Sequence, residues 1–239
     1  MKKLVLALFA FCFCAPLFAQ LSYSLQYNYL QAKEWDDMVR AYNFNRPWQE
    51  NPQPFITHGY GGSIGYYFLL KKRQSIYLHP RLSFDRFSCK AENGQQLLGI
   101  NIDHFQLQAD LQFSPKALFH DVSAGPIGTR WFMTFSPGVD YFFPRINRNG
   151  EQVYLTEDEI YQPKTLTWFA EIGTGFRALY IANRWVVTPF FRARYYRKLS
   201  IEDFQEEAFG ADTGEFENES LNNWQFQAGI EWTTIFRKK

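Results

Sequence analysis

The sequence offers few residues in an arrangement that could do catalysis. It has four histidines, and none takes part in a close serine–histidine–acid motif or a metal-binding pair on a helix: His58, His79, His104 and His120. His79 comes nearest, because its even spacing from Ser83 and Asp85 would place all three on one face of a strand. A structural role on that face is the favoured interpretation, so no catalytic or metal-ligating residue is predicted.

Charged residues that alternate with apolar ones form a second pattern. Alternation places the two kinds of side chain on opposite faces of a strand. The charges are of both signs, and buried charges are tolerated when they are paired. We interpret them as an ion-paired network inside a barrel rather than a catalytic or ion-conducting cluster: Arg81, Asp85, Asp110, Arg130, Asp140, Glu171, Arg177, Arg192, Arg194 and Glu231.

Strands with a two-residue period would position these charges. In the last segment, every second residue from Trp224 to Phe236 is apolar or Thr, and the residues between them are mostly polar. About eight segments of this kind are long enough to cross hydrocarbon as tilted strands. Three prolines fall on the apolar side, where each predicts a bulge or kink: Pro80, Pro137 and Pro189.

The connections between the segments alternate in length. Two are short turns: 71–75 and 181–184. Four are longer and polar: 32–55, 88–96, 144–164 and 200–223. Short turns at one end and long loops at the other are typical of outer-membrane barrels. The connection 114–129 departs from this pattern, since it is long but falls on the short-turn side.

Composition agrees with a spanning sheet. Aromatic residues make up 19% of the chain, yet the mean hydropathy is only −0.35. A sheet in lipid must close, because lipid offers its edges no hydrogen-bond partners. We therefore predict an all-β fold: one antiparallel transmembrane β-barrel of about eight strands, with short periplasmic turns and long extracellular loops. The net charge of +1 gives no attraction to nucleic acid, and no cofactor motif is present.

The first residues have the pattern of a secretory signal peptide. A basic start, Met1–Lys3, precedes the apolar stretch Leu4–Phe13, and Ala19 offers a small residue at a cut before Gln20. We predict a signal peptide over 1–19, a barrel domain over 20–239, and an outer-membrane location with both mature termini periplasmic. Cys89 would then be the one cysteine of the mature chain, so no internal disulfide is expected.

Two long connections could carry function. The segment 33–48 is rich in apolar residues, several of them at helical spacing: Trp35, Met38, Val39, Tyr42, Phe44 and Trp48. It either folds back over the barrel mouth, the favoured interpretation, or forms a surface for a partner or ligand. The acidic segment 201–219 is interpreted as a solvated loop, with a divalent-cation site as the alternative.

Three pieces of the chain resemble a known group. They are Phe18–Gln20 at the predicted cut, the glycine-rich hairpin Gly59–Phe68 and the last strand Trp224–Phe236. Together they resemble the small outer-membrane β-barrels of Bacteroidota, which include the PorT-like barrels. The likeness is a pattern over the whole mature chain, and it implies fold and location rather than an activity.

The expected function is that of a non-enzymatic barrel, acting through its extracellular loops as a scaffold or accessory subunit of a cell-envelope complex. Expected partners are outer-membrane lipid, the barrel-assembly machinery during insertion, and a protein in that complex. A barrel enzyme acting on lipid or peptide is the first alternative. A soluble lipocalin-like barrel is the second, although such a fold has its apolar side chains inside.

Overall fold

The segments in which polar and apolar residues alternate form ten antiparallel strands in the computed structural model. The structure describes residues 20–31, 36, 39–40, 43–44, 54–55, 57–71, 76–93, 96–113, 131–148, 151–152, 165–181, 185–196 and 223–234. The strands are β1 (Gln20–Gln31), β2 (His58–Lys71), β3 (Ile76–Asn93), β4 (Gln96–Phe113), β5 (Trp131–Arg148), β6 (Glu151–Gln152), β7 (Thr165–Phe176), β8 (Leu179–Ile181), β9 (Trp185–Tyr196) and β10 (Trp224–Thr234).

Eight of these strands close a barrel. Neighbours pair in the order β1, β2, β3, β4, β5, β7, β9 and β10, and β10 then pairs with β1 over Ser22–Gln31. The other two are short: β6 pairs with the end of β5, and β8 continues β7 along β9. Every pairing is antiparallel. The predicted closed all-β barrel of eight strands is confirmed.

The two faces of the wall have opposite chemistry. In β1, for example, Ser24 and Gln26 are buried inside, while Leu25 between them is 64% exposed on the outside. The same alternation runs through β9, where Arg192 and Arg194 are buried and Phe191 is exposed. Polar residues therefore fill the interior and apolar residues cover the exterior. A soluble barrel has the reverse arrangement.

Three strands are longer than the sequence pattern predicted. The expected loops at 88–96 and 144–164 are wrong in part, because β3 runs to Asn93, β4 begins at Gln96 and β5 runs to Arg148. Each of the three has 18 residues, whereas about 9 to 11 residues of a tilted strand cross the hydrocarbon. Polar residues there hid the alternation, although Asn93-Gly94 is a strong turn signal.

The extra length forms a projection at the end opposite the termini. We call it the blade: residues 88–93 of β3, 96–101 of β4, and 145–148 of β5 with β6. Register continues through it from Ser88 paired with Asn101 to Asn93 paired with Gln96. Just before the blade, outward positions change from apolar to charged at Arg86 and Asp103. This change marks the edge of the apolar belt.

The prolines do not all cause the bulges that were expected. Around Pro137, the pairs Gln108 with Gly138 and Leu111 with Phe135 keep the same register, and only the two positions between them are unpaired. Register also runs unshifted past Pro80. Near Pro189 the extra residue lies on the neighbouring strand, between Gly175 and Leu179. At Pro80 and Pro137 the strand is paired on both sides and keeps its register although proline donates no hydrogen bond.

Helical structure is confined to the connection between β1 and β2, where Asp36, Val39, Arg40, Asn43 and Phe44 are helical among the described residues. No helix in that described part of the chain is both long enough and apolar enough to span a bilayer.

The apolar belt predicts that a charged residue on the outer face lowers the free energy of unfolding by an amount that depends on its position along the strand. Ala109 lies midway along the outward apolar positions of β4, and Asn101 faces outward in the blade. We expect Ala109→Arg to lower the free energy of unfolding in lipid vesicles by about 2–4 kcal/mol, and Asn101→Arg by about 0–1 kcal/mol. Urea titration read on heat-modifiability gels measures both. Equal losses in the two variants would contradict a membrane-facing belt.

Candidate functional site

Asp85 on β3 is the centre of the interior network. Its carboxylate accepts hydrogen bonds of 2.7–3.3 Å from five side-chain amides on β1, β4 and β10: Gln26, Asn28, Gln106, Gln225 and Gln227. The side chain has room because its neighbour on β2 is Gly61, where a Cβ atom would collide with the carboxylate. Most of the stabilisation of this buried charge therefore comes from neutral donors, and Arg194 adds a longer ion pair at 3.9 Å.

Glu171 on β7 is the second centre, and it is surrounded by arginines. Arg194 donates to one carboxylate oxygen from Nε at 3.0 Å and from Nη2 at 2.6 Å. Arg81 donates to the other oxygen at 2.8 Å, and Arg192 Nε lies 3.7 Å from it. All four side chains are buried. Such pairs offset the cost of desolvation when their hydrogen bonds are also satisfied.

These contacts cross the lumen rather than follow its wall. β3 and β9 stand on opposite sides of the eight-stranded ring, yet Asp85 Oδ2 and Arg194 Nη1 are 3.9 Å apart. Arg81 on β3 also reaches Glu171 on β7. An eight-stranded barrel is only wide enough for side chains. The described interior is therefore filled at this level.

Aromatic side chains close the interior toward the termini. The Arg177 guanidinium lies 5.6 Å from the ring centre of Tyr77 and 5.4 Å from that of Phe132. Tyr67 donates to Glu231 at 2.6 Å and stacks on His79 with 3.8 Å between ring centres. The cavity among these residues measures about 20 Å³. That volume holds about one water molecule.

The histidines of the interior each contact a carboxylate. His104 Nδ1 is 2.8 Å from Asp140 Oδ2, and His79 Nδ1 is 3.2 Å from Asp110 Oδ2. His79 does not approach Ser83, whose buried hydroxyl lacks a hydrogen-bond partner in the described structure. Instead its Nε2 is 2.7 Å from Ser22 Oγ on β1.

Ser22, His79 and Asp110 thus have the connectivity of a catalytic triad, although no linear motif links these three residues. A triad also needs a place for the scissile group beside the nucleophile and donors for an oxyanion. All three side chains are buried, and Tyr67 covers the imidazole. The arrangement serves as one more link in the interior network.

Most residues predicted for the network lie in the interior. Eight are buried there: Arg81, Asp85, Asp110, Asp140, Glu171, Arg192, Arg194 and Glu231. Arg177 is half-buried near the terminal end, and Arg130 lies outside the described residues. The neutral amides were missed, although their even spacing on polar strand faces was a usable signal. Gln108 shows their role, since it donates to both Asp110 and Glu171.

The predicted partner-binding segment is described only in part. Val39 is fully buried, whereas Phe44 is 84% exposed. Arg40 lies over the ring of Phe55 at 5.7 Å. Trp35, Met38, Tyr42 and Trp48 lie outside the described residues, as does the acidic segment 201–219. Among the residues that are described, no group of three or more His, Cys, Asp and Glu is placed to hold a metal ion.

The Asp85 centre gives a sharp prediction for stability. In Asp85→Asn, the five amide donors would face an amide that has one acceptor oxygen and two donors of its own. We expect a loss of roughly 3–5 kcal/mol in the free energy of unfolding. Ser24→Ala is the matched interior control, because it removes one hydrogen bond to Ser63 and should cost about 1 kcal/mol. An unchanged urea midpoint for Asp85→Asn would rule out Asp85 as the centre.

Several solved structures have similar backbones. Neisserial surface protein A superposes with a TM-score of 0.47 at 6% identity, over 91% of this chain and 97% of that one. The attachment invasion locus protein Ail of Yersinia pestis gives a TM-score of 0.47 at 6% identity, over 90% and 96%. The N-terminal β-barrel domain of Pseudomonas aeruginosa OprF gives 0.39 at 12% identity, over 90% and 96%. No protein-family model and no curated protein matches the sequence.

Proposed function

We propose that this protein is a non-conducting outer-membrane barrel that anchors the blade outside the membrane as a docking surface for a protein of a cell-envelope complex. The observation that carries the proposal is the filled interior, bridged from wall to wall between Asp85 and Arg194. A barrel without a channel acts through what it displays. The part it displays is the blade.

The membrane location is supported by the exterior. Large apolar side chains stand exposed on every long strand, among them Leu25, Leu82, Phe135 and Trp168. This much exposed apolar surface is unfavourable in water, whereas closure leaves the spanning backbone paired within lipid. It also argues against the lipocalin-like alternative. The signal-peptide pattern of residues 1–19 supports export, and we propose that both termini of the mature chain are periplasmic.

The blade is suited to docking because its strands stay paired beyond the apolar belt. Its β3 segment pairs with β4 from Ser88 to Asn93, and its β5 segment pairs with β4 from Arg145 to Arg148. Exposed Ser88 and Lys90 face outward there. Outward side chains held on a paired sheet lose little conformational entropy when a partner binds. For the enzyme alternative, the buried Ser22 offers no support.

The filled interior predicts an absence of conductance. When the folded protein is inserted in a planar bilayer, we expect no discrete current steps, because the side chains that cross the lumen leave no continuous water path. Single-channel recording at both polarities makes the measurement. The protein should fractionate with the outer membrane and shift on heating. Reproducible steps from the purified barrel would overturn the non-conducting part of the proposal.

Shortening the blade tests the docking part. Residues 88–101 would be replaced by Asn-Gly, which joins Phe87 to Ile102 across an existing pair with a favoured turn. We expect the shortened protein to keep its heat shift but to lose a stoichiometric partner that co-purifies with the wild type in mild detergent. Ser24→Ala, an interior variant with an unchanged blade, serves as the control. Retention of the partner by the shortened, folded protein would contradict docking on the blade.

A further inference from the structure

The exterior of β2, β3, β4, β5 and β7 carries a groove at the edge of the apolar belt. The groove has a volume of about 490 Å³. Its principal row runs across five strands in register, Gly62 beside Phe84, then Phe105, Tyr141 and Leu166. Gly62 has no side chain, whereas the other residues of the row have large ones, so the groove is open at the Gly62 end. The lining is an extended apolar trough that suits an acyl chain.

Two arginines stand on the outer face just beyond this trough. Arg86 donates to Asp103 at 2.6 Å from Nε and at 3.0 Å from Nη2, and Arg145 Nη2 donates to the same carboxylate. The Arg86 guanidinium also lies 5.6 Å from the ring centre of Phe84. The cluster therefore begins where the trough ends.

The cluster carries unsatisfied positive charge. The Asp103 carboxylate faces two guanidinium groups, those of Arg86 and Arg145. The Arg86 side chain is 51% exposed and that of Arg145 is 35% exposed, and Arg145 Nε has no hydrogen-bond partner in the described structure. Guanidinium groups bind phosphate with matching geometry.

We propose that this face binds phosphorylated lipid A of the outer leaflet, with a phosphate on Arg86 and Arg145 and an acyl chain in the groove. The choice of lipid A rests on the proposed function, because the cluster lies at the end opposite the periplasmic termini and therefore at the outer leaflet. The spacing fits a lipid, because the arginines that would bind the headgroup lie directly beside the groove that would hold the acyl chain. Binding of this kind would orient the blade at the cell surface.

The test uses native mass spectrometry of the full-length folded protein in neutral detergent with bisphosphorylated lipid A. We expect the wild type to retain one lipid A. The double variant Arg86→Gln with Arg145→Gln should bind at least about tenfold more weakly, because charged hydrogen bonds are lost. Lys90→Gln removes one outward charge on the same strand and should bind as the wild type does. Heat shifts on gels verify folding of each variant.

Two further experiments distinguish binding of the acyl chain from binding of the phosphate headgroup. Leu107→Trp places bulk in the groove on an exposed lining residue and should weaken binding while the arginines remain. For the wild type, dephosphorylated lipid A should bind at least about tenfold more weakly than the phosphorylated form. This ligand comparison needs no variant, so it decides the matter even if the double variant fails to fold.

Equal binding of phosphorylated and dephosphorylated lipid A would overturn the inference, and so would equal binding of phosphatidylglycerol. The shortened-blade protein keeps Arg86, Asp103 and Arg145, so it should still bind lipid A. Loss of lipid binding with the partner retained therefore contradicts this inference alone. If the shortened-blade protein keeps its partner and still binds lipid A, the docking function alone is contradicted.

Discussion

Backbone hydrogen bonding in lipid is the constraint on which the rest of this structure depends. Lipid supplies no donors or acceptors, so a spanning sheet must pair its first strand with its last. Here β1 pairs with β10 from Ser22 to Gln31. Closure with eight strands then produces an interior too narrow for bulk water and too polar to be left empty. The exterior belt and the interior network are both consequences of that closure.

Neutral amides as well as ion pairs hold the buried charges of the interior. Asp85 is held mainly by neutral amides, whereas Glu171 is held by Arg81 and Arg194. These two centres are joined by Arg194, which donates to Glu171 and approaches Asp85. Buried polar groups are costly when one partner is missing, so a connected network favours a single arrangement of the strands. Gly61 contributes by leaving space for the Asp85 carboxylate.

Sequence reasoning could predict the faces of the strands but not the contacts across the barrel. A period of two assigns Arg194 and Asp85 to the interior, since each alternates with apolar neighbours. It cannot indicate that they meet, because their approach depends on strand order and register around a closed ring. The same limit concealed Ser22 beside His79. Strand ends were harder still: the polar stretch 88–96 resembled a loop, although register continues through it to Asn93.

The boundary of the belt divides this molecule into a part governed by lipid and a part available for recognition. Outward residues of β3 change from Phe84 to Arg86 within one step of the alternation, and β3 then continues to Asn93. A barrel that only had to span the membrane could turn at that boundary, as a strand of about 9 to 11 residues is sufficient. Three neighbouring strands instead extend together and remain paired. Paired extension orders the backbone beyond the lipid, and an ordered surface loses less conformational entropy on binding than a loose loop does. In the proposed function, the filled barrel therefore holds the blade in a defined orientation.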